Sequence, residues 1–389
     1  MARTTVARIE ALIVELPRDV PYLGPLGAGE SVNTQGYFVR AGNRTVYPST
    51  DRSVVVKATS IDGTIGWGET YGIVTPQAVV ALIDDLLAPF VVGRDARDAG
   101  AIWQDLYDMQ RVRGASGGYY GDALAGIDIA LHDLACRAEG VALQTWLGSG
   151  GVAALPAYVS GLPLARQDER VVLARDFVRS GFRAIKYAAP AARDGVVDEI
   201  RALRAALGPG IDLMVDLHWR HEADAAIALI AELAPSNPRF VEAPCASEDV
   251  EALARVAAAS TVPIAVGEEW RNRYEAAMRL DRARVGVVQP EMGHTGVGQF
   301  LAIARAAGSN GAAVMPHATI GVGIFLAASL HASAALGGVP YHEYQHSVFD
   351  RNLRYVDTTM RCAAGYYHVP DGTGHGVTPR DALWNFVRR

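Results

Sequence analysis

The chain has 389 residues, and its 36 Lys and Arg against 42 Asp and Glu give a formal charge of −6. Half of the residues are hydrophobic and one fifth are charged, which excludes a disordered chain and suits a globular protein of two or three domains. The acidic balance and the lack of any Lys/Arg run exclude nucleic acid as the main partner, because phosphate binding needs a concentrated basic surface.

Residues 1–17 alternate charge and apolarity without a continuous apolar block, so no signal peptide is expected. The pattern up to about residue 75 is strand-like, with 6–12 first, then 52–59, a turn at Asp62-Gly63, and 65–69. Between them, 18–50 is rich in Gly, Pro, Asn and Thr. A connection that long inside a compact domain is usually functional, often a lid. Helical patterns follow near 77–92, 95–111 and 121–139. In the last, Leu124, Ile127, Leu131 and Leu134 fall on one face and Gly140 marks the end.

From about Leu155 short apolar runs alternate with amphipathic stretches. The runs are 157–160, 183–187, 212–217, 239–242, 263–268, 285–289, 312–315 and 341–345. Eight βα units imply a closed (β/α)8 barrel rather than an open doubly wound sheet, for which no Gly-rich phosphate fingerprint is present. The uncharged stretch 311–339 is broken by Pro316, His317 and five glycines, so a strand and a buried helix over 320–336 are expected there, with no membrane partner. The three cysteines, Cys136, Cys245 and Cys362, form no CxxC pair, which predicts neither a disulfide framework nor a thiolate metal site, and a cytoplasmic location.

In such a barrel the chemistry sits where the strands end. The polar residues at the ends of the runs are Lys186, Asp216 with His218, Glu242, Glu268, Glu291, His317 and Glu343. Asp216, Glu242 and Glu268 are separated by 26 residues each, and the later steps are 23, 26 and 26, so each side chain should stand at one height on neighbouring strands. Three carboxylates on adjacent strand ends repel one another unless a cation joins them. Hard oxygen ligands on three sides suit Mg²⁺. Lys186, facing them, is placed to neutralise developing charge. Glu291 beside His317 is the carboxylate–imidazole arrangement of a general base. His218, two residues beyond Asp216, is expected on the same strand face, where it can serve as an acid.

These residues, with Asp62-Gly63-Thr64-Ile65-Gly66-Trp67-Gly68-Glu69, Gly126-Ile127-Asp128-Ile129-Ala130-Leu131-His132-Asp133-Leu134, Gln289-Pro290-Glu291, Met315-Pro316-His317 and Val369-Pro370-Asp371-Gly372, resemble the enolase superfamily in its mandelate racemase-like branch, over nearly the whole chain. The resemblance implies an α+β capping domain over a modified (β/α)8 barrel: 1–135 as the cap, 136–360 as the barrel, and 361–389 returning to the cap. It implies Mg²⁺ on Asp216, Glu242 and Glu268, and abstraction of the proton α to a carboxylate to give an enediolate. Loops 21–47 and 70–76 would close on the substrate, with Tyr187, Trp219, Trp270 and Arg271 as wall residues. A homo-oligomer is also implied.

Departures from the family pattern narrow the chemistry. Many members carry K-x-K at the second barrel strand, whereas here Lys186 is followed by Ala188 in the second position, which counts against a racemase. The sixth strand has no lysine, which counts against dipeptide epimerase and muconate cycloisomerase activity. Asp216-Leu217-His218 resembles the D-x-H pattern of sugar-acid dehydratases such as galactonate dehydratase. Glu291 replaces the usual Asp, and Glu242-Ala243-Pro244 stands where E-E-P is common. The expected activity is therefore a Mg²⁺-dependent dehydratase (hydro-lyase) of an aldonate or aldarate, with Lys186 and Glu343 at the carboxylate end, His317 as base and His218 as acid. The alternatives are a sugar-lactone cycloisomerase or epimerase and, from another class, a non-catalytic barrel.

Overall fold

The computed structural model describes residues 3–148, 151–192 and 195–388. The N-terminal part is a sheet in which Val6–Leu16 lies between Asp51–Ser60 and the C-terminal Val387–Arg388, with Ile65–Tyr71 on the far edge. The helix Gly118–Glu139 covers one face of it. Gly66 and Gly68 make that contact possible. A Cβ on Gly68 would collide with the Gly126 carbonyl oxygen, and one on Gly66 with Ala130 and Leu134 of the helix. The helix runs unbroken through residue 135, where the sequence reading ends the cap.

Eight parallel strands follow: Ala154–Ser160, Ala184–Ala188, Asp212–Asp216, Phe240–Glu242, Ile264–Val266, Val287–Val288, Ala313–Val314 and His342–Tyr344. Neighbours pair in sequence order from the first to the seventh, and the eighth pairs back onto the first, His342 opposite Ala157. Between the seventh and eighth no ladder forms among the described residues; they meet where the Glu343 amide donates to the Pro316 carbonyl at 3.3 Å. The chain is thus a barrel-type domain with an α+β cap.

The barrel interior is filled by Tyr158, Ala184, Met214, Phe240, Ala265, Val287 and Met315. Side chains two positions on share the inward face. That rule lifts Lys186 above Ala184, Asp216 above Met214, Glu242 above Phe240 and His317 above Met315, into the mouth of the barrel.

The tail returns in two steps. Residues 361–368, which the sequence assigns to the cap, instead form the hairpin Arg361–Ala363 and Tyr366–His368, which pairs with the first barrel strand. Only afterwards does the chain reach the cap, where the Arg137 guanidinium donates to the Val377 carbonyl at 2.7 Å and Val387 pairs with Val14. Among the described residues no helix is long and apolar enough to cross a membrane.

Candidate active site

A cavity of about 360 Å³ opens at the C-terminal ends of the barrel strands, beneath the cap. Lys186, Asp216, His218, Glu268, His317 and Glu343 line it from the barrel. Both expected capping loops contribute: Tyr22, Leu23 and Tyr47 from one, Tyr71 and Ile73 from the other.

The ladder is in register. Asp216 pairs with Glu242 across the third and fourth strands, and Glu242 with Ala265 across the fourth and fifth. Glu268 comes three residues after Ala265, where Gly267 at φ +117° turns the chain back towards the mouth. Each carboxylate faces a basic side chain. Asp216 Oδ2 lies 2.9 Å from His218 Nε2, Glu242 Oε2 accepts from Lys186 Nζ at 2.7 Å, and Glu268 Oε2 lies 2.9 Å from His317 Nε2. Among the described residues, therefore, no three acidic or imidazole groups form a ready-made ligand set.

The electrostatics show how much negative charge is packed here. Burial pushes the Glu242 carboxyl well above the usual range against the pull of Lys186, and Asp216, Glu268 and Glu343 push it further. Burial also opposes ionisation of Asp216, but the His218 and Lys186 charges outweigh it and bring that carboxyl down to about 2. Glu268 is likewise lowered, because the His317 imidazole overcomes the burial penalty. Burial would strip Lys186 of its proton, yet Glu242 and Glu343 hold its ammonium well above the ordinary value. Among the described residues Glu242 Oε1 is buried without a hydrogen-bond partner. Three carboxylates at neighbouring strand ends, one with an orphaned buried oxygen, have the hard-oxygen chemistry of a small divalent cation's site, although they are turned to Lys186, His218 and His317 rather than to a common point.

The imidazole of His317 is held firmly. Its Nδ1 lies 2.8 Å from Glu291 Oε2, and that oxygen also accepts from the Thr319 amide at 3.1 Å and the Tyr71 hydroxyl at 3.2 Å. Glu291 Oε1 accepts from the Gly293 amide at 3.1 Å, capping the helical segment Met292–Ser309, which is broken at Gly296, φ +69°. Glu268 and Glu343 keep the ring's pKa well above the usual histidine value despite burial. Glu343 accepts from the Ala318 amide at 3.0 Å and lies 3.0 Å from Lys186 Nζ.

His218 reaches the cavity by a different route from the one its spacing suggests. The third strand ends at Asp216, and His218 and Trp219 both have left-handed backbones, φ +52° and +55°. A turn, closed by the His218 amide donating to Asp216 Oδ1 at 2.9 Å, brings the ring in, not strand periodicity. On its other side His218 Nδ1 lies 3.4 Å from Asn43 Nδ2 in the capping loop.

Of the four wall residues expected, Trp219 and Arg271 line the cavity. Tyr187 and Trp270 do not. Tyr187 follows the inward Lys186, so it points outward, and its hydroxyl donates to the Val196 carbonyl at 2.6 Å. Trp270 is fully buried with the Arg279 guanidinium 5.8 Å from its ring. Ala188 lines the cavity where a second-strand base would stand. Sequence reasoning placed Asn43, Tyr47 and Tyr71 only within the capping loops 21–47 and 70–76, without singling them out, and missed His294, whose one signal is its place three residues after Glu291 at the start of one helix.

Two family models match the chain. The mandelate racemase / muconate lactonizing enzyme N-terminal domain covers residues 41–148, and the enolase C-terminal domain-like model covers 169–383. A D-galactonate dehydratase of Xanthomonas axonopodis pv. citri is 33% identical over 299 residues, 74% of this chain and 76% of that protein. A D-galactarolactone cycloisomerase of Agrobacterium fabrum is 30% identical over 349 residues, 86% of this chain and 90% of that protein. The crystal structure of a member of the enolase superfamily from Agrobacterium tumefaciens superposes with a TM-score of 0.96 at 51% identity, covering 99% of both chains.

Proposed function

Since the chain belongs to the enolase superfamily, we propose that it is a Mg²⁺-dependent dehydratase that converts a sugar acid to a 2-keto-3-deoxy acid. Asp216, Glu242 and Glu268 would hold the ion. When bound, Mg²⁺ supplies Lewis-acid stabilisation of the charge that grows on the substrate carboxylate as the neighbouring carbon loses its proton.

The remaining steps belong to the protein's own side chains. Lys186 binds the carboxylate end, and Glu343, 3.0 Å from its Nζ, holds the ammonium there. His317 Nε2 takes the C2 proton, while Glu291 fixes its tautomer through Nδ1. His218 gives a proton to the departing 3-hydroxyl, and Asn43 and Asp216 orient its ring. The released enol then tautomerises to the keto acid. The observation that carries this reading is the imidazole of His317 held by Glu291, the separate imidazole of His218 in the turn just beyond the third strand, and an alanine at position 188 in the same cavity. That set can remove one proton and expel one leaving group, and Ala188 gives it no second-strand base.

The test is a screen of C4 to C6 aldonates and aldarates for 2-keto acid formation, followed by two variants. His218→Asn should abolish dehydration and keep exchange of the C2 proton in D₂O; His317→Asn should abolish both. Undiminished dehydration by His218→Asn would remove the acid assignment, and C2 exchange surviving in His317→Asn would point to another base. The similarity to the D-galactarolactone cycloisomerase favours cycloisomerisation as the second reading. NMR of the product separates the two, since isomerisation conserves mass and dehydration yields a keto acid.

A further inference from the structure

Besides His317 and His218, a third imidazole lines the cavity, that of His294. It belongs to the helix that Glu291 caps, but its partner comes from the cap domain: Nδ1 lies 2.6 Å from Asp122 Oδ1, on the helix Gly118–Glu139. The same Asp122 oxygen accepts from Arg271 Nε at 3.2 Å. Gly121 gives the arginine room, since a Cβ there would lie 2.5 Å from its Cγ. The His294 ring is stacked on Tyr71 with centroids 3.7 Å apart, and Tyr71 in turn donates to Glu291 at 3.2 Å. The imidazole is therefore fixed in position and orientation.

A carboxylate can only accept, so Nδ1 of the neutral ring carries the hydrogen and Nε2 presents a lone pair. Among the described residues Nε2 has no partner. It is not sealed off, since 11% of the side chain remains exposed, onto the cavity the ring lines.

We propose that His294 is a specificity residue whose Nε2 accepts a hydrogen bond from a hydroxyl of the sugar chain beyond C3, with Asp122 as the positioning residue behind it. This rests on the sugar-acid reading, which already assigns partners to the carboxylate, C2 and C3. A six-carbon aldonate carries further hydroxylated carbons, and a cavity of about 360 Å³ has room for them.

The experiment compares kcat/KM for the six-carbon aldonate that the wild type turns over fastest with that for the four-carbon aldonate of the same C2–C3 configuration. The wild type should prefer the longer acid. His294→Phe, which keeps the stack on Tyr71, should narrow that preference by about tenfold, the worth of one hydrogen bond to a buried acceptor. The change should lie in KM for the longer acid, with kcat for the shorter acid and C2 exchange in D₂O retained. His294→Leu provides the same reading should the phenylalanine not fold, and Asp122→Asn should raise KM for the longer acid alone. Equal preference in wild type and His294→Phe overturns the inference, as does a wild type that does not discriminate chain length. Loss of C2 exchange in the variants would make His294 a base and overturn it too. If the wild type turns over neither aldonates nor aldarates, the sugar-acid reading falls and the inference with it; if it turns over aldarates alone, the same comparison is made between the six-carbon and four-carbon aldarates.

Discussion

Glu291 occupies a position where the family usually has aspartate, and its surroundings show what the extra methylene does. Its carboxylate meets the Gly293 and Thr319 amides, the Tyr71 hydroxyl and His317 Nδ1 at once. Glu291→Asp should leave the helix cap formed and fall short of the imidazole. The loss of one hydrogen bond to the proposed base, about 1–1.5 kcal/mol, predicts a roughly tenfold fall in kcat with KM unchanged. Steady-state kinetics decide it, and a variant with wild-type kcat would show that His317 does not depend on this carboxylate. The residues whose placement was legible, Lys186, Asp216, Glu242 and His317, all lie two positions beyond an inward core residue, so spacing alone set their direction. Tyr187 and Trp270 failed for the same reason. One is odd in the strand register and the other follows a turn, and neither fact shows in residue type. His294 with Asp122 was invisible as a pair because the two come from different domains, 172 positions apart.

At the scale of elements, the eight barrel strands fell within a few residues of the apolar runs, because a buried parallel strand is read as a continuous hydrophobic segment. The structure trims them where the backbone cannot pair. The run 263–268 shrinks to Ile264–Val266 between Pro263, which has no amide hydrogen, and Gly267 at φ +117°. The capping loop hid the short hairpin Tyr37–Val39 and Val46–Pro48, too brief for a periodic signal. The Gly-Trp-Gly-Glu motif is legible as a motif but acquires its reason only from helix packing. Gly68→Ala places a Cβ against the Gly126 carbonyl and should destabilise the protein by at least ~2 kcal/mol, since backbone cannot yield as a side-chain end does. Gly100→Ala makes a contrast inside the helix Ala99–Asp108, where a Cβ meets nothing within 4 Å. It should stabilise by ~0.5–1 kcal/mol. Urea midpoints moving in opposite directions would bear out the packing account, and a neutral Gly68→Ala would refute it.

For the molecule as a whole, cap and barrel are joined by a carboxylate that takes no part in the proposed chemistry. Glu69 ends the Gly-Trp-Gly-Glu motif in the cap, yet its oxygens accept from the amides of Val322 at 2.6 Å, Ile324 at 2.9 Å and Phe325 at 3.2 Å, at the start of the barrel helix Ile324–Ala335. The Ser53 hydroxyl also donates to it. Burial outweighs these hydrogen bonds and raises the carboxyl from 4.5 to about 7. Between those two values the native protein keeps a proton on Glu69 that the unfolded chain has released, so this group's contribution to stability falls as pH rises through the window and levels off above it. A rise of that size sets an upper scale of ~3 kcal/mol for the fall. Glu69→Gln stays neutral throughout and should flatten this part of the profile while keeping most of the hydrogen bonds. Urea unfolding at intervals from pH 5 to pH 8 measures both slopes. Parallel profiles for wild type and variant would mean that Glu69 is already ionised at pH 5, held so by the helix N-terminus, and that the joint between the domains is a fixed charge–dipole contact with no proton linked to it.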